Sequence, residues 1–251
     1  MRESWVPIEQ AEEGKRRRSL VYDLARFIGS PFNYDVVGLE NVQTPGPAIF
    51  VGNHLGALGP VEIILSVPIR LYPWIIAEMM DYKRAPEYLY HDFVHPVLRL
   101  SGKLGMLFST MITKISIRLL RSIESVSIER FGGLSTDGFR QSLRLLKEGG
   151  NLLIFPEDDL LPVDNKTLMS PFMPGFVVLC NLYQQESNSL LPVYPVAVHA
   201  QAELVTIGEA EFLRPGGKHK DEINAFCKLL ENRVTDIYLE MQKKTDDILD
   251  G

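Results

Sequence analysis

Cysteine is nearly absent from the chain: Cys180 and Cys227 are the only two in 251 residues. That excludes a disulfide framework, and because both sit among apolar neighbours they are expected as buried thiols in a reducing compartment. A long apolar run is missing too. The longest uncharged stretches, near 42–61 and 167–185, are interrupted by Pro, Gly, Asn and Gln, unlike the ~20-residue apolar helix that crosses a bilayer. No secretory leader is expected, since Met1-Arg2-Glu3-Ser4 opens into an acidic segment. Positive charge is not in excess: a formal net charge of −6 speaks against a nucleic-acid partner, which would call for a basic surface. Repeats, low-complexity segments, a phosphate-binding Gly-Lys-Ser/Thr loop and a dinucleotide fingerprint are also lacking.

What is present is an ordinary globular composition, 45% hydrophobic and 23% charged, at a length that suits one large domain. The expected division is an N-terminal helical, membrane-interface segment over 1–35 and an α/β domain over 36–251. In the first, the basic cluster Lys15-Arg16-Arg17-Arg18 leads into Leu20, Leu24, Phe27 and Ile28 on one helical face. Such an N-terminal amphipathic helix fits an anchor on anionic lipid, or a helix docked on its own domain.

The centre of the chain is Ala48-Ile49-Phe50-Val51-Gly52-Asn53-His54. An apolar run of strand formers ends at Asn53-His54, small residues follow, and Pro60 stands where a helix can begin. One imidazole is thereby expected at the carboxyl end of a buried strand, where open α/β sheets bind ligands, although a lone histidine there also fits a structural role. Further strands are expected at Tyr34–Val37, Leu71–Ala77, Val126–Ile128, Asn151–Phe155, Leu191–His199 and 203–213. Helices are expected over 87–123, 138–148, 171–183 and Asp221–Lys244. In the last, Phe226, Leu229, Leu230, Val234 and Ile237 should point inward. Over 87–123, Leu98, Leu100, Leu104, Leu107, Phe108, Met111, Ile115 and Leu119 form a stripe beside Arg99, Lys103, Lys114 and Arg118. A core helix is the first reading of that stripe, with a lipid-facing or acyl-groove element as the alternative. The strand–helix alternation argues for an α/β fold with a mostly parallel central sheet flanked by helices. His91 and His95 stand four apart, but no third ligand accompanies them, so no metal site is expected.

Four stretches, taken together, carry a resemblance. Gly38-Leu39-Glu40-Asn41 with Pro45-Gly46-Pro47 through His54, then Ser127-Ile128-Glu129-Arg130, then Phe155-Pro156-Glu157, then Leu191-Pro192-Val193-Tyr194-Pro195-Val196 resemble, in order, the blocks of the glycerophospholipid (lysophospholipid) acyltransferases. Met173-Pro174-Gly175-Phe176 resembles a weaker glycine element of the same family. The likeness spans about residues 36–200 and departs at one telling place: the family carries Asp five positions after its His, and here that residue is Gly59.

The resemblance implies that a fatty acyl group moves from acyl-CoA or acyl carrier protein to a hydroxyl of a (lyso)phospholipid or related lipid acceptor. His54 is then the general base, since a neutral imidazole takes a hydroxyl proton near pH 7. Asn53, Arg130, Glu157 and Asp158 are the substrate-binding residues, with Arg130 suited to a phosphate. Asp158, Asp159 and Leu160 stand where Gly, Thr and Arg are usual, so an acceptor with less negative charge is expected. Loss of the orienting Asp costs on the order of 10⁴ in rate in the hydrolase triad; Glu62, one helical turn past Gly59, is the nearest replacement, or a simple first-turn acid. No metal or cofactor is expected beyond the thioester co-substrate. The expected partners are that donor, a lipid acceptor and an anionic membrane surface, with the protein cytoplasmic and peripheral. The alternative is a catalytically impaired lipid-binding relative.

Overall fold

The computed structural model describes residues 34–42, 46–55, 59–96, 98–129, 136–158, 160–214 and 219–249. The N-terminal amphipathic helix, the loop at 56–58, Arg130 and Asp159 lie outside the described residues. Eight strands form one sheet: β1 (Asp35–Val37), β2 (Ala48–Gly52), β3 (Leu71–Ile76), β4 (Val126–Ile128), β5 (Asn151–Ile154), β6 (Pro192–His199), β7 (Leu204–Ile207) and β8 (Glu211–Phe212). Their order is β1-β7-β6-β2-β5-β3-β4, with β8 beside β6. From β6 to β4 all neighbours are parallel, and β7 and β8 run antiparallel to β6. The helices are α1 (Gly59–Ser66), α2 (Ala85–Leu89), α3 (Gly102–Ser122), α4 (Thr136–Lys147), α5 (Val178–Ser187) and α6 (His219–Leu249).

Every residue of β2 and β5 is buried, as a parallel strand covered on both faces must be. The period-two alternation divides them between two cores. Ile49, Val51, Leu152 and Ile154 point into the core that also holds Leu146 of α4, Leu179 of α5, and Leu230 and Val234 of α6. Phe50, Leu153 and Tyr194 point the other way, with Ile63 of α1 and Val67. Phe50 and Tyr194 are register partners on β2 and β6, and their rings stack with centroids 5.1 Å apart. Cys180 and Cys227 are both buried and unbonded to one another, and burial pushes each thiol up to about 12. This bears out the buried thiols expected from sequence.

Four expectations are corrected. The stretch over 87–123 is not one helix: α2 runs into a π-helical turn at Tyr90–Val94, and the chain then breaks before α3. Pro96 stands in that break, and the positive φ values of Arg99 (55°) and Gly102 (61°) mark it. Nor is α3 a core helix. Its buried face is Gly105, Ser109, Thr113 and Ile117, and the Leu/Met stripe lies in solvent. The 203–213 segment is two strands, β7 and β8, and Leu229 of α6 faces outward instead of into the core.

Candidate functional site

At the carboxyl end of β2 the main chain leaves the sheet, but Asn53 holds on. Its Oδ1 accepts the Val198 N–H at 2.8 Å and its Nδ2 donates to the Val198 carbonyl at 3.1 Å. The β2–β6 register ends at Gly52 opposite Val196, so the carboxamide takes the place of the next peptide group in the ladder. Asn53 is 0% exposed. Held on both sides by Val198, its side chain fixes the point from which His54 departs.

His54 itself is exposed, and its ring meets Phe155 edge-on with centroids 5.5 Å apart. Its backbone N–H donates to Glu157 Oε1 at 2.5 Å, while Glu157 Oε2 accepts the Ser170 N–H at 2.7 Å. One carboxylate thus ties the loop after β2 to the segment that precedes Phe172, and it does so at the end of β5, the parallel neighbour of β2. Glu157 is more than half enclosed by these loops, and burial raises its carboxyl above the ordinary glutamate range despite the two N–H donors that pull it down. Sequence placed Glu157 and His54 at the same sheet end, and the structure brings them into contact.

Beside them lies a cavity of about 360 Å³ whose walls come from the ends of β3, β4 and β5 and the turn before α5. Trp74, Ile76, Ile128, Phe139 and Phe176 make it apolar, and among the described residues Glu157 and Glu129 are its acidic lining. Trp74 is held by its indole N–H, which donates to Ser142 Oγ at 2.9 Å, and by the edge of Phe139. A few carboxylates at the rim of an otherwise apolar concavity suit an amphiphile with a polar end near His54. Sequence reasoning missed this cavity, because Trp74, Ile76 and Phe139 read in a single sequence as strand and helix core.

The remaining expected site residues sit elsewhere. Glu62 is partly enclosed near Glu203 and Tyr34; burial and the Glu203 charge raise its carboxyl, and Oε2 has no hydrogen-bond partner. α1 presents it to the β6–β7 turn, where Glu203 lies. Asp158 Oδ1 accepts the Leu160 N–H at 3.1 Å, which closes a turn. Gly59 opens α1 so close to the preceding loop that a Cβ there would lie 2.3 Å from the His54 carbonyl oxygen and 3.0 Å from its carbon. No residue with a side chain fits that position without moving the His54 backbone. His91 and His95 both pack against the Tyr90 ring.

Among solved structures the chain is similar to the 1-acyl-sn-glycerophosphate (LPA) acyltransferase PlsC of Thermotoga maritima. The two share a fold. The TM-score is 0.56 at 15% identity, over 94% of this chain and 85% of that one. No family model matches the sequence, and no curated protein does. The likeness therefore lies in the α/β architecture, the mostly parallel sheet flanked by helices, and not in the sequence as a whole.

Proposed function

We propose that the protein is an acyltransferase that moves a fatty acyl group from a thioester, acyl-CoA or acyl carrier protein, to a hydroxyl of a lipid acceptor. The observation that carries the reading is the placement of His54 at the carboxyl end of β2, bonded through its backbone to Glu157 and adjoining an apolar cavity, on a fold shared with an LPA acyltransferase. His54 takes the proton of the acceptor hydroxyl as its oxygen attacks the thioester carbonyl. The tetrahedral intermediate collapses, the carbon–sulfur bond breaks, and the imidazolium returns the proton to the departing thiolate. No enzyme nucleophile is needed, because the thioester is already activated. Glu157 positions the His54 loop, Asn53 anchors it to β6, and Arg130 and Asp158 are proposed to meet the acceptor head. Among the described residues no helix is long and apolar enough to cross a membrane, which is compatible with a peripheral protein.

A second reading, a lipid-binding protein without turnover, is favoured by one observation: the carboxylate the resemblance calls for is Gly59, in a turn with no room for it. Mass-spectrometric turnover separates the two. Purified protein is offered a panel of acyl-CoA and acyl carrier donors with lyso-lipids and total lipid as acceptors, beside His54→Ala. An acylated lipid that disappears with His54→Ala is the expected result. No product from any pair, with lipid still co-purifying, would replace the enzyme reading with the binding one.

A further inference from the structure

Helix α3 is inside out for a helix of a water-soluble domain. Its packed face, Gly105, Ser109, Thr113 and Ile117, is mostly small and hydroxylated. Ser109 Oγ donates to the Pro86 carbonyl at 2.5 Å, and Thr113 Oγ1 to the Ser109 carbonyl at 2.9 Å. Gly105 lets the helix approach so closely that a Cβ would stand 2.8 Å from the Tyr90 ring. The opposite face carries Leu104 (67% exposed), Leu107 (69%), Met111 (54%) and Ile115 (62%), continued by Leu119. Their spacing of three and four residues makes a continuous stripe of ~22 Å at 1.5 Å rise per residue. An exposed apolar surface of this extent marks an interaction site.

Charge says what covers it. The chain has 32 Asp and Glu, against 26 Lys and Arg, yet no acid falls on α3, which holds Lys103, Lys114, Arg118 and Arg121. All four are exposed and sit along one edge of the stripe. Among the described residues no carboxylate pairs with Lys103, Lys114 or Arg118; the ion pairs lie elsewhere. A protein partner with an apolar face would be indifferent to this segregation. A leaflet of anionic lipid matches it, with headgroups for the cations and acyl chains for the stripe.

We propose that α3 is a membrane-docking helix that lies in the plane of an anionic lipid surface with Leu104, Leu107, Met111 and Ile115 among the acyl chains. The helix is inserted between β3 and β4, whose carboxyl ends line the cavity, and packs against the turn at Ala77–Met80 that leaves β3. Docking through α3 therefore holds the cavity wall at the lipid surface. The inference rests on the peripheral half of the proposed function and not on the chemistry at His54, so the two can fail separately.

The test is flotation of the full chain with phosphatidylcholine vesicles, with and without about a third phosphatidylglycerol. The protein should float with the anionic vesicles, and binding should weaken as salt is raised. Leu107→Glu/Met111→Glu should lower partitioning at least tenfold with an unchanged melting temperature, because both side chains are exposed. Lys114→Glu/Arg118→Glu should abolish the preference for anionic vesicles. Acyl transfer to a detergent-solubilised acceptor should survive in both variants, which separates docking from catalysis. Equal flotation of wild type and Leu107→Glu/Met111→Glu would overturn the proposal. So would a wild-type dimer that this variant splits, which would make a second copy the occupant. A marked loss of melting temperature in the monomeric variant would also overturn it, since the stripe would then be covered by the chain itself.

Discussion

Replacing Asn53 with Ala separates two roles that the sequence could not tell apart. If Asn53 contacts an acceptor, the variant should raise KM and leave stability alone. The structure demands the reverse. Both polar atoms of the carboxamide are bonded to Val198, at 2.8 and 3.1 Å, in a place with no exposure. Ala removes both bonds and leaves the Val198 N–H and carbonyl facing a gap. With about 1–3 kcal/mol for each buried group left unsatisfied, the loss is roughly 2–4 kcal/mol once relaxation is allowed. A chain of this size loses about 2–4 °C per kcal/mol, so the melting temperature should fall by roughly 5–15 °C. Turnover should fall as well, mainly in kcat, because His54 loses its fixed departure point. Asn53→Asp sharpens the test. Its carboxylate can accept the N–H but opposes the carbonyl, so burial and that carbonyl raise its carboxyl in the folded state. Stability is then present at low pH, where the acid is protonated, and is lost as pH rises through the raised value. Thermal unfolding followed by circular dichroism across pH reads both variants. Wild-type melting of Asn53→Ala, with only KM altered, would refute the anchoring argument.

Two further changes probe the loop around His54. Gly59→Asp should not rescue or raise acyl transfer, although it restores the carboxylate of the resemblance, because its Cβ would lie 2.3 Å from the His54 oxygen; the overpacking should cost about 1–3 kcal/mol, and Gly59→Ala should cost the same. A gain of activity in Gly59→Asp but not Gly59→Ala, measured in the same turnover assay, would show that the turn can open. Glu157→Gln keeps one acceptor for the His54 N–H but sets an amide against the Ser170 N–H, so it should lower the melting temperature. Because the Glu157 carboxyl is raised by burial, its contribution in the wild type is present below the ordinary glutamate value and lost as pH rises through the raised one. Glu157→Gln should flatten the stability profile across that window.

Much of the fold was readable because the strands at the centre of the sheet advertise themselves. Ile49-Phe50-Val51 and Leu152-Leu153-Ile154 are buried on both faces, so their apolar runs have no other reading. Gly149, with φ of 80°, ends α4 where the Gly149-Gly150 pair said it would. The meeting of His54 and Glu157 in the candidate site was legible, since both follow such strands and parallel pairing sends them to one end. Other parts were hidden for definite reasons. Periodicity locates the stripe on α3 but is silent on which side meets the protein, and small residues on the packed face reversed the usual assignment. The Asn53 amide bond to Val198 is an event between distant parts of the chain. The crowding at Gly59 involves a backbone oxygen, which leaves no mark on composition. The surroundings of Glu62 were equally hidden: its helix carries it to Glu203 and Tyr34, both distant in sequence.

The sequence distances within the site set an order of assembly. His54 meets Glu157 across 103 residues, and Asn53 meets Val198 across 145. β2 also lies between two strands from the later part of the chain, β5 and β6. During synthesis the segment bearing His54 must therefore wait for β5 to cover one edge of its apolar strand, and the other edge stays unpaired until nearly two hundred residues have been made. Pairings of such long reach close slowly and leave strand edges open to aggregation. A truncated chain that stops before β6 would carry the whole of the His54 and Glu157 sequence but leave Asn53 without Val198 to hold it. The anchor of the His54 loop and the covering of the central strand are therefore completed together, by β6.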